Sequence, residues 1–170
     1  MPEGARHWTR WLLASLAVVA ADRATKAWIG AVLLPGEAHT VTPFFKLVLT
    51  FNTGAAFSFL ADAGGWQRWF FTVLAVAISA AILWTLRRHH REPVASLALA
   101  LVLGGALGNL YDRVSLGHVV DFLLFHAGSH GFPAFNVADS AITVGVAILI
   151  WDGVRPAGGR SPGPAGQEKP

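Results

Sequence analysis

Asp121 and Asp139 both lie beside apolar sequence and lack an adjacent cationic residue. Asp121 is flanked by Val119, Val120, Phe122 and Leu123; Asp139 sits between Ala138 and Ser140, at the head of an apolar run. Apolar surroundings disfavour the charged form of a carboxyl group. Two carboxyls held close do not both ionise easily, so one keeps its proton while the other acts as a base, the division of labour used for acid–base hydrolysis. Sequence separation alone does not bring the two side chains together. An N-terminal helix cap for Asp139 and a solvated interfacial acid for Asp121 remain open at this point.

The other acids carry less weight. Asp22 has Arg23 and Lys26 beside it, and Asp112 has Arg113, so each reads equally well as a salt bridge or cap. Asp62 and Asp152 read as solvated. His126 and His130 have i, i+4 spacing, but Gly128 and Pro133 argue against a helix there, and solvated loop histidines are the better reading. The absence of cysteine removes thiolate ligands and nucleophiles. Neither a G-x-S-x-G elbow nor an H-E-x-x-H zinc motif occurs. Gly104-Gly105-Ala106-Leu107-Gly108 lies inside an apolar run and reads as close helix packing.

The surrounding elements must hold these acids in lipid. The chain is 54% hydrophobic and only 14% charged, with a mean hydropathy of +0.49, too apolar for a water-soluble surface. A helix crossing a bilayer needs roughly 20 mostly apolar residues. Four stretches fit: about 11–29, 66–86, 94–110 and 138–151. The first continues through Trp28-Ile29 and three more spans follow, so it reads as a retained helix rather than a cleaved signal peptide. The expected fold class is an all-α membrane bundle of four transmembrane helices. Residues 1–152 form one integral membrane domain, and residues 153–170, rich in Gly and Pro, form a disordered cytoplasmic tail.

Basic residues set the orientation. Arg6, Arg10, Arg87, Arg88, Arg91, Arg155, Arg160 and Lys169 fall on one side; Lys46, Arg68 and Arg113 fall on the other. Both termini are then cytoplasmic, and residues 30–65 and 111–137 face outward. Trp11, Trp28, Trp66, Trp69, Trp84 and Trp151 lie near span ends, where indoles prefer to sit. This clustering of charge is a topology signal, and no nucleic-acid partner is expected. Phe45, Leu47, Leu49 and Phe51 alternate with Lys46, Val48, Thr50 and Asn52, the period of a half-buried strand. Asn52-Thr53-Gly54 supplies a turn, and Ala55–Leu60 either pairs back or lies on the membrane surface. A small extracytoplasmic β-sheet, or β-cradle, is expected from these outer segments, where water or headgroups satisfy its edges.

Four blocks resemble the lipoprotein signal peptidases (signal peptidase II). They are Asp22-Arg23-Ala24-Thr25-Lys26; Asn52-Thr53-Gly54-Ala55-Ala56-Phe57; Gly108-Asn109-Leu110-Tyr111-Asp112-Arg113, continuing to Val119-Val120-Asp121-Phe122; and Phe135-Asn136-Val137-Ala138-Asp139-Ser140. They occur in the family's order, and the resemblance covers about residues 8 to 152. The resemblance implies an aspartic endopeptidase of the bacterial inner membrane. It would remove signal peptides from diacylglyceryl-modified prolipoproteins by cutting just before the lipidated cysteine, and globomycin would inhibit it. Asp121 and Asp139 become the catalytic pair. Asn52, Gly54, Asn109, Arg113 and Asn136 become site-lining residues that meet the substrate, with Asp22 and Lys26 as structural support. Neither a metal nor an organic cofactor is implied. The expected partners are prolipoprotein substrates and membrane lipid, with the chain acting as a monomer.

Two rival readings are a small proton-coupled membrane transporter, in which Asp22, Asp121 and Asp139 move with their protons, and a non-enzymatic scaffold. Against the transporter stand the lack of an internal repeat and the placement of the acids at the outer edge rather than the midplane.

Overall fold

The computed structural model of the protein describes residues 3–54, 64–89, 91–128 and 130–155. The expected return of residues 55–60, Asp62 and the tail from residue 156 onward lie outside these described residues. The chain order is α1 (Glu3–Val32), β1 (Ala38–Thr42), β2 (Phe45–Asn52), α2 (Trp66–His89), α3 (Pro93–Ser115), β3 (Val119–Ala127), β4 (His130–Gly131) and α4 (Val137–Val154).

Among the described residues, three helices are long and apolar enough to cross a membrane: Trp66–Arg88, Pro93–Ser115 and Val137–Val154. Phe70, Val73, Val76, Val144, Val146 and Ile150 on α2 and α4 are exposed, an apolar surface that water does not favour. The stretch expected as the first span lies within α1, whose 30 residues extend about 45 Å. Its apolar run is broken by Asp22, Arg23 and Lys26, and it does not qualify as a span on composition. All three of those side chains turn out to be spoken for inside the protein.

Sequence chemistry sets the helix ends. Pro93 opens α3 in the first turn, where its missing N–H costs nothing. Gly117, at φ +86°, turns the chain out of α3 toward β3 in a backbone conformation L side chains resist. The expected third span ended at 110; the helix instead runs on to Ser115, so Asp112 and Arg113 are helical residues, not loop residues.

Helix α3 packs on all three other helices, and glycine makes this possible. A Cβ at Gly104 would lie 2.7 Å from the Ser15 carbonyl oxygen; one at Gly105 would run into the carbonyl oxygen of Ala138; one at Gly145, on α4, would lie 2.7 Å from the carbonyl oxygen of Ala98. Ser15 Oγ also donates to the Ala100 carbonyl at 2.8 Å. At the end of the bundle away from the sheet, Ile82, Leu86 and Leu103 pack with Trp11, Leu12 and Leu99.

The four strands form an antiparallel sheet in the order β1-β2-β3-β4. It sits on the C-terminal end of α1, where Ile29 packs with Leu49, Val120 and Phe122. The expected two-faced alternation along β2 does not hold throughout. Leu47 pairs with Leu123 and Thr50 with Asp121, so two residues of β2 oppose one of β3. This bulge buries both Val48 and Leu49 and leaves Phe51 exposed, because an inserted residue reverses the facing of everything after it. Past the bulge, Asn52 lies diagonal to Asp121 across the pair.

Candidate active site

Asp121 and Asp139 meet because the chain before α4 is stitched to β3. Phe135 accepts hydrogen bonds at its carbonyl from the main-chain N–H groups of Phe122 (3.0 Å) and Leu123 (2.8 Å), and its own N–H donates to the Leu123 carbonyl at 3.0 Å. This places Asn136, the N-cap of α4, beside Asp121. The Asn136 side chain accepts from Asp139 N–H at 2.9 Å, while Asp139 Oδ2 accepts from Asn136 N–H at 3.2 Å. That is a reciprocal capping box. The cap reading of Asp139 therefore holds, and it leaves the second oxygen available: Oδ2 caps, while Oδ1 accepts from the Asn109 amide.

Three asparagines hold the two carboxylates, and each has its amide oxygen fixed by a donor on the far side. The Asn136 oxygen takes Asp139 N–H, so its NH2 points to Asp121 Oδ1 at 2.7 Å. The Asn52 oxygen takes Gly54 N–H at 2.9 Å, so its NH2 points to Asp121 Oδ2 at 3.2 Å. The Asn109 oxygen takes Lys26 Nζ at 3.1 Å and Asn136 Nδ2 at 3.2 Å, so its NH2 points to Asp139 Oδ1 at 2.7 Å. An ammonium only donates, which fixes the Asn109 orientation. Neutral amides thus orient both acids without neutralising them by direct ion pairing.

Below this layer lies a buried charge cluster. Lys26 Nζ is 2.7 Å from Asp112 Oδ2 and 2.8 Å from Asp22 Oδ2, and all three side chains are essentially inaccessible. Arg23 pairs with the other oxygen of Asp112 and stacks on Tyr111. Asp22 Oδ1 accepts from Ala138 N–H at 3.0 Å, and Asp112 Oδ2 from Val120 N–H at 3.2 Å. The cluster ties α1 and α3 to the residues immediately before Asp139 and Asp121. The Asp112 carboxylate turns to Lys26, Arg23 and the Val120 N–H rather than to the adjacent Arg113, because consecutive helical residues do not face each other. Lys26, four residues from Asp22, does reach it.

Asp121, Asp139, Asn52, Asn109 and Arg113 line one cavity of about 460 Å³, walled further by Val119, Phe132, Phe135 and Val144. Gly54 stands at its edge, its carbonyl accepting from the Arg113 guanidinium at 3.3 Å. Asn136 lies behind the acids, and Asp22 and Lys26 lie beneath. Burial pushes the Asp121 carboxyl up to about 7; the Asp139 charge adds to this, while the Asn52 and Asn136 amides and Lys26 oppose it. One acid of the pair thus holds a proton near neutral pH beside a second acid.

The model of the signal peptidase (SPase) II family matches residues 14–155. The chain belongs to that family. It is 52% identical over 160 residues to the lipoprotein signal peptidase of Azoarcus sp., covering 94% of this chain and 90% of the other. It is 52% and 53% identical over 145 residues to those of Paraburkholderia phymatum and Burkholderia mallei, covering in each case 85% of this chain and 87% of the relative. Two solved structures described as bacterial membrane enzymes are also similar. One has a TM-score of 0.76 at 32% identity, covering 85% of this chain and 87% of its own; the other has 0.75 at 31%, covering 86% and 94%. This chain is thus a membrane protease of the signal peptidase II family, and the transporter reading has no support.

Every site residue expected from the sequence falls inside the matched stretch. Sequence reasoning left Asp112 as a salt bridge with Arg113 or a helix cap, whereas it is fully buried and central to the cluster. Its place one residue before Arg113 in an apolar run was the available signal. The Phe132 and Phe135 walls were also missed, since isolated aromatics in a Gly- and Pro-containing segment carry no distinctive pattern. Among the described residues no group of acids and histidines is arranged to hold a metal; His126 and His130 lie on β3 and β4, away from the cavity lining.

Proposed function

We propose that this member of the signal peptidase II family removes signal peptides from diacylglyceryl-modified prolipoproteins by two-aspartate chemistry, cutting before the lipidated cysteine. The observation that carries the reading is the joining of Asp121 and Asp139 through Asn136 at one cavity. Asp139 takes a proton from water as the water oxygen attacks the scissile carbonyl carbon. Asp121 gives its proton to the carbonyl oxygen, forming a neutral tetrahedral diol. When the C–N bond breaks, a proton passes to the leaving amine of the cysteine. Each such transfer contributes about 10²–10⁴-fold. Arg113 orients the substrate carbonyl, and Asn52, Asn109 and Asn136 hold the carboxylates in place. Asp22 and Lys26 support that arrangement from below.

The membrane arrangement belongs to the same proposal. α1 serves as a fourth span whose charges are sequestered by α3 and α4. The basic residues at the ends of α1, α2 and α4 remote from the sheet put both termini in the cytoplasm. The sheet and the aspartates then lie at the outer face of the bacterial inner membrane, where an exported signal peptide presents its cut site. Residues 1–152 act as one domain and as a monomer in membrane lipid.

The test is a gel-shift assay. Purified protein in detergent or lipid is given a diacylglyceryl-modified prolipoprotein, beside Asp121→Asn and Asp139→Asn variants. Cleavage by the wild type that is lost in both variants and unaffected by chelator is the expected result. Cleavage by either variant at the wild-type rate would refute the two-aspartate mechanism.

A further inference from the structure

The last turn of α3 leaves carbonyl groups without helical partners. The Asp112 carbonyl is taken by Leu116 and Gly117 N–H. The next two are taken by a side chain from another helix: Arg68, near the start of α2, donates Nε to the Arg113 carbonyl and Nη2 to the Val114 carbonyl, both at 2.8 Å. A guanidinium presents two parallel donors in a rigid fork and matches such a pair of acceptors. Gly117 makes room for it, since a Cβ there would lie 3.3 Å from Arg68 Nη1. One helical turn further along α2, Phe71 lies under the Arg113 guanidinium at 5.3 Å. The start of α2 therefore holds Arg113 twice, by its main chain through Arg68 and by its side chain through Phe71. Helix α2 supplies none of the residues lining the cavity.

We infer that Arg68 is a positioning residue that sets Arg113 in the site by capping the C-terminal end of α3. The inference rests on the proposed role of Arg113. With the cap gone, the last turn of α3 frays, and the guanidinium that reaches Gly54 and the cavity loses its fixed origin. Misplacement of this order costs up to about 10²-fold in rate.

The test is a double-mutant cycle on cleavage of a diacylglyceryl-modified prolipoprotein, with kcat and KM measured for the wild type, Arg68→Ala, Arg113→Ala and the double variant. Thermal melting in detergent checks that each is folded. Arg68→Ala is expected to lower kcat at least about tenfold with KM little changed, and to have no further effect once Arg113 is Ala. Arg68→Lys, which reaches one carbonyl, is expected to recover part of the loss, and it replaces the Ala variant in the cycle if that variant does not fold. Losses that multiply in the double variant, or a wild-type kcat for Arg68→Ala beside an impaired Arg113→Ala, overturn the inference alone. Full activity in Arg113→Ala overturns the reading of Arg113 and the inference with it.

Discussion

Asn136 donates its side-chain amide to Asp121 at 2.7 Å while its own amide oxygen is held by the main-chain N–H of Asp139. One residue thus links the first residues of a strand to the start of a helix. Asn136→Ala removes both an N-cap and an orienting donor. The cap is worth about 1 kcal/mol, which a melting curve reads. In the proposed mechanism the donor orients the proton-donating carboxyl, and misplacing a reacting group costs up to about 10²-fold in kcat. A kcat loss that stays within tenfold would show that Asn136 is a cap alone.

The carboxyl of Asp121 carries a pH prediction. Its ordinary value is 3.8 and its folded value about 7, with burial the larger cause and the Asp139 charge the second. Between these values the folded chain keeps a proton that the unfolded chain has lost. Stability from this group is therefore fully present below about pH 4 and is lost as pH rises through about 7. In the proposed mechanism activity follows the same proton: kcat/KM should fall on the alkaline side with a midpoint near 7, the pair titrating as a unit. Asp139→Asn removes the second cause, so Asp121 in that variant should titrate at lower pH in a carbon-13 carboxyl NMR titration. An unchanged Asp121 midpoint would show that the two acids do not sense each other.

Lys26 balances two carboxylates that have no route to water. Asp22 and Asp112 are both fully buried, and Lys26 lies within 2.8 Å of each. Lys26→Met leaves two buried acids with only Arg23 opposite, and breaking a buried pair in this way costs about 3–5 kcal/mol. The expected outcome is a large drop in melting temperature in detergent, with loss of cleavage following loss of fold. A variant that melts like the wild type would mean that water reaches the cluster.

These cases also mark how far the sequence was legible. Hydropathy located the apolar helices, since lipid demands long uncharged runs whatever the tertiary context. The acids stood out because an ionisable residue in such a run needs a reason. The partners of those acids were not legible: Asp112 turned from its neighbour Arg113 to Lys26 and Arg23, on a helix distant in sequence. The bulge at Val48 and Leu49 was equally hidden, because the alternating residue types of β2 suited a regular strand. Side-chain partners depend on which helix faces are buried together, and packing decides that. The stitching of Phe135 to β3, which brings Asp139 to Asp121, uses main-chain groups and leaves no mark on residue type.

Packing gives the last prediction, from two glycines that look alike in sequence. Gly30 and Gly105 both lie within helices. A Cβ at Gly30 meets nothing within 4 Å, whereas one at Gly105 runs into the carbonyl oxygen of Ala138 and lies 2.7 Å from Ile142 Cγ1. Gly30→Ala should be neutral or stabilising by up to about 1 kcal/mol, since Ala fits a helix better than Gly. Gly105→Ala should destabilise by about 1–3 kcal/mol, as overpacking does. It should also reduce cleavage, because a backbone carbonyl gives way only if α4 moves, and Ala138 adjoins Asp139. Melting and kcat measured on the two variants together separate the effects. Equal behaviour of the pair would mean that α3 and α4 sit farther apart in the membrane than the structure places them.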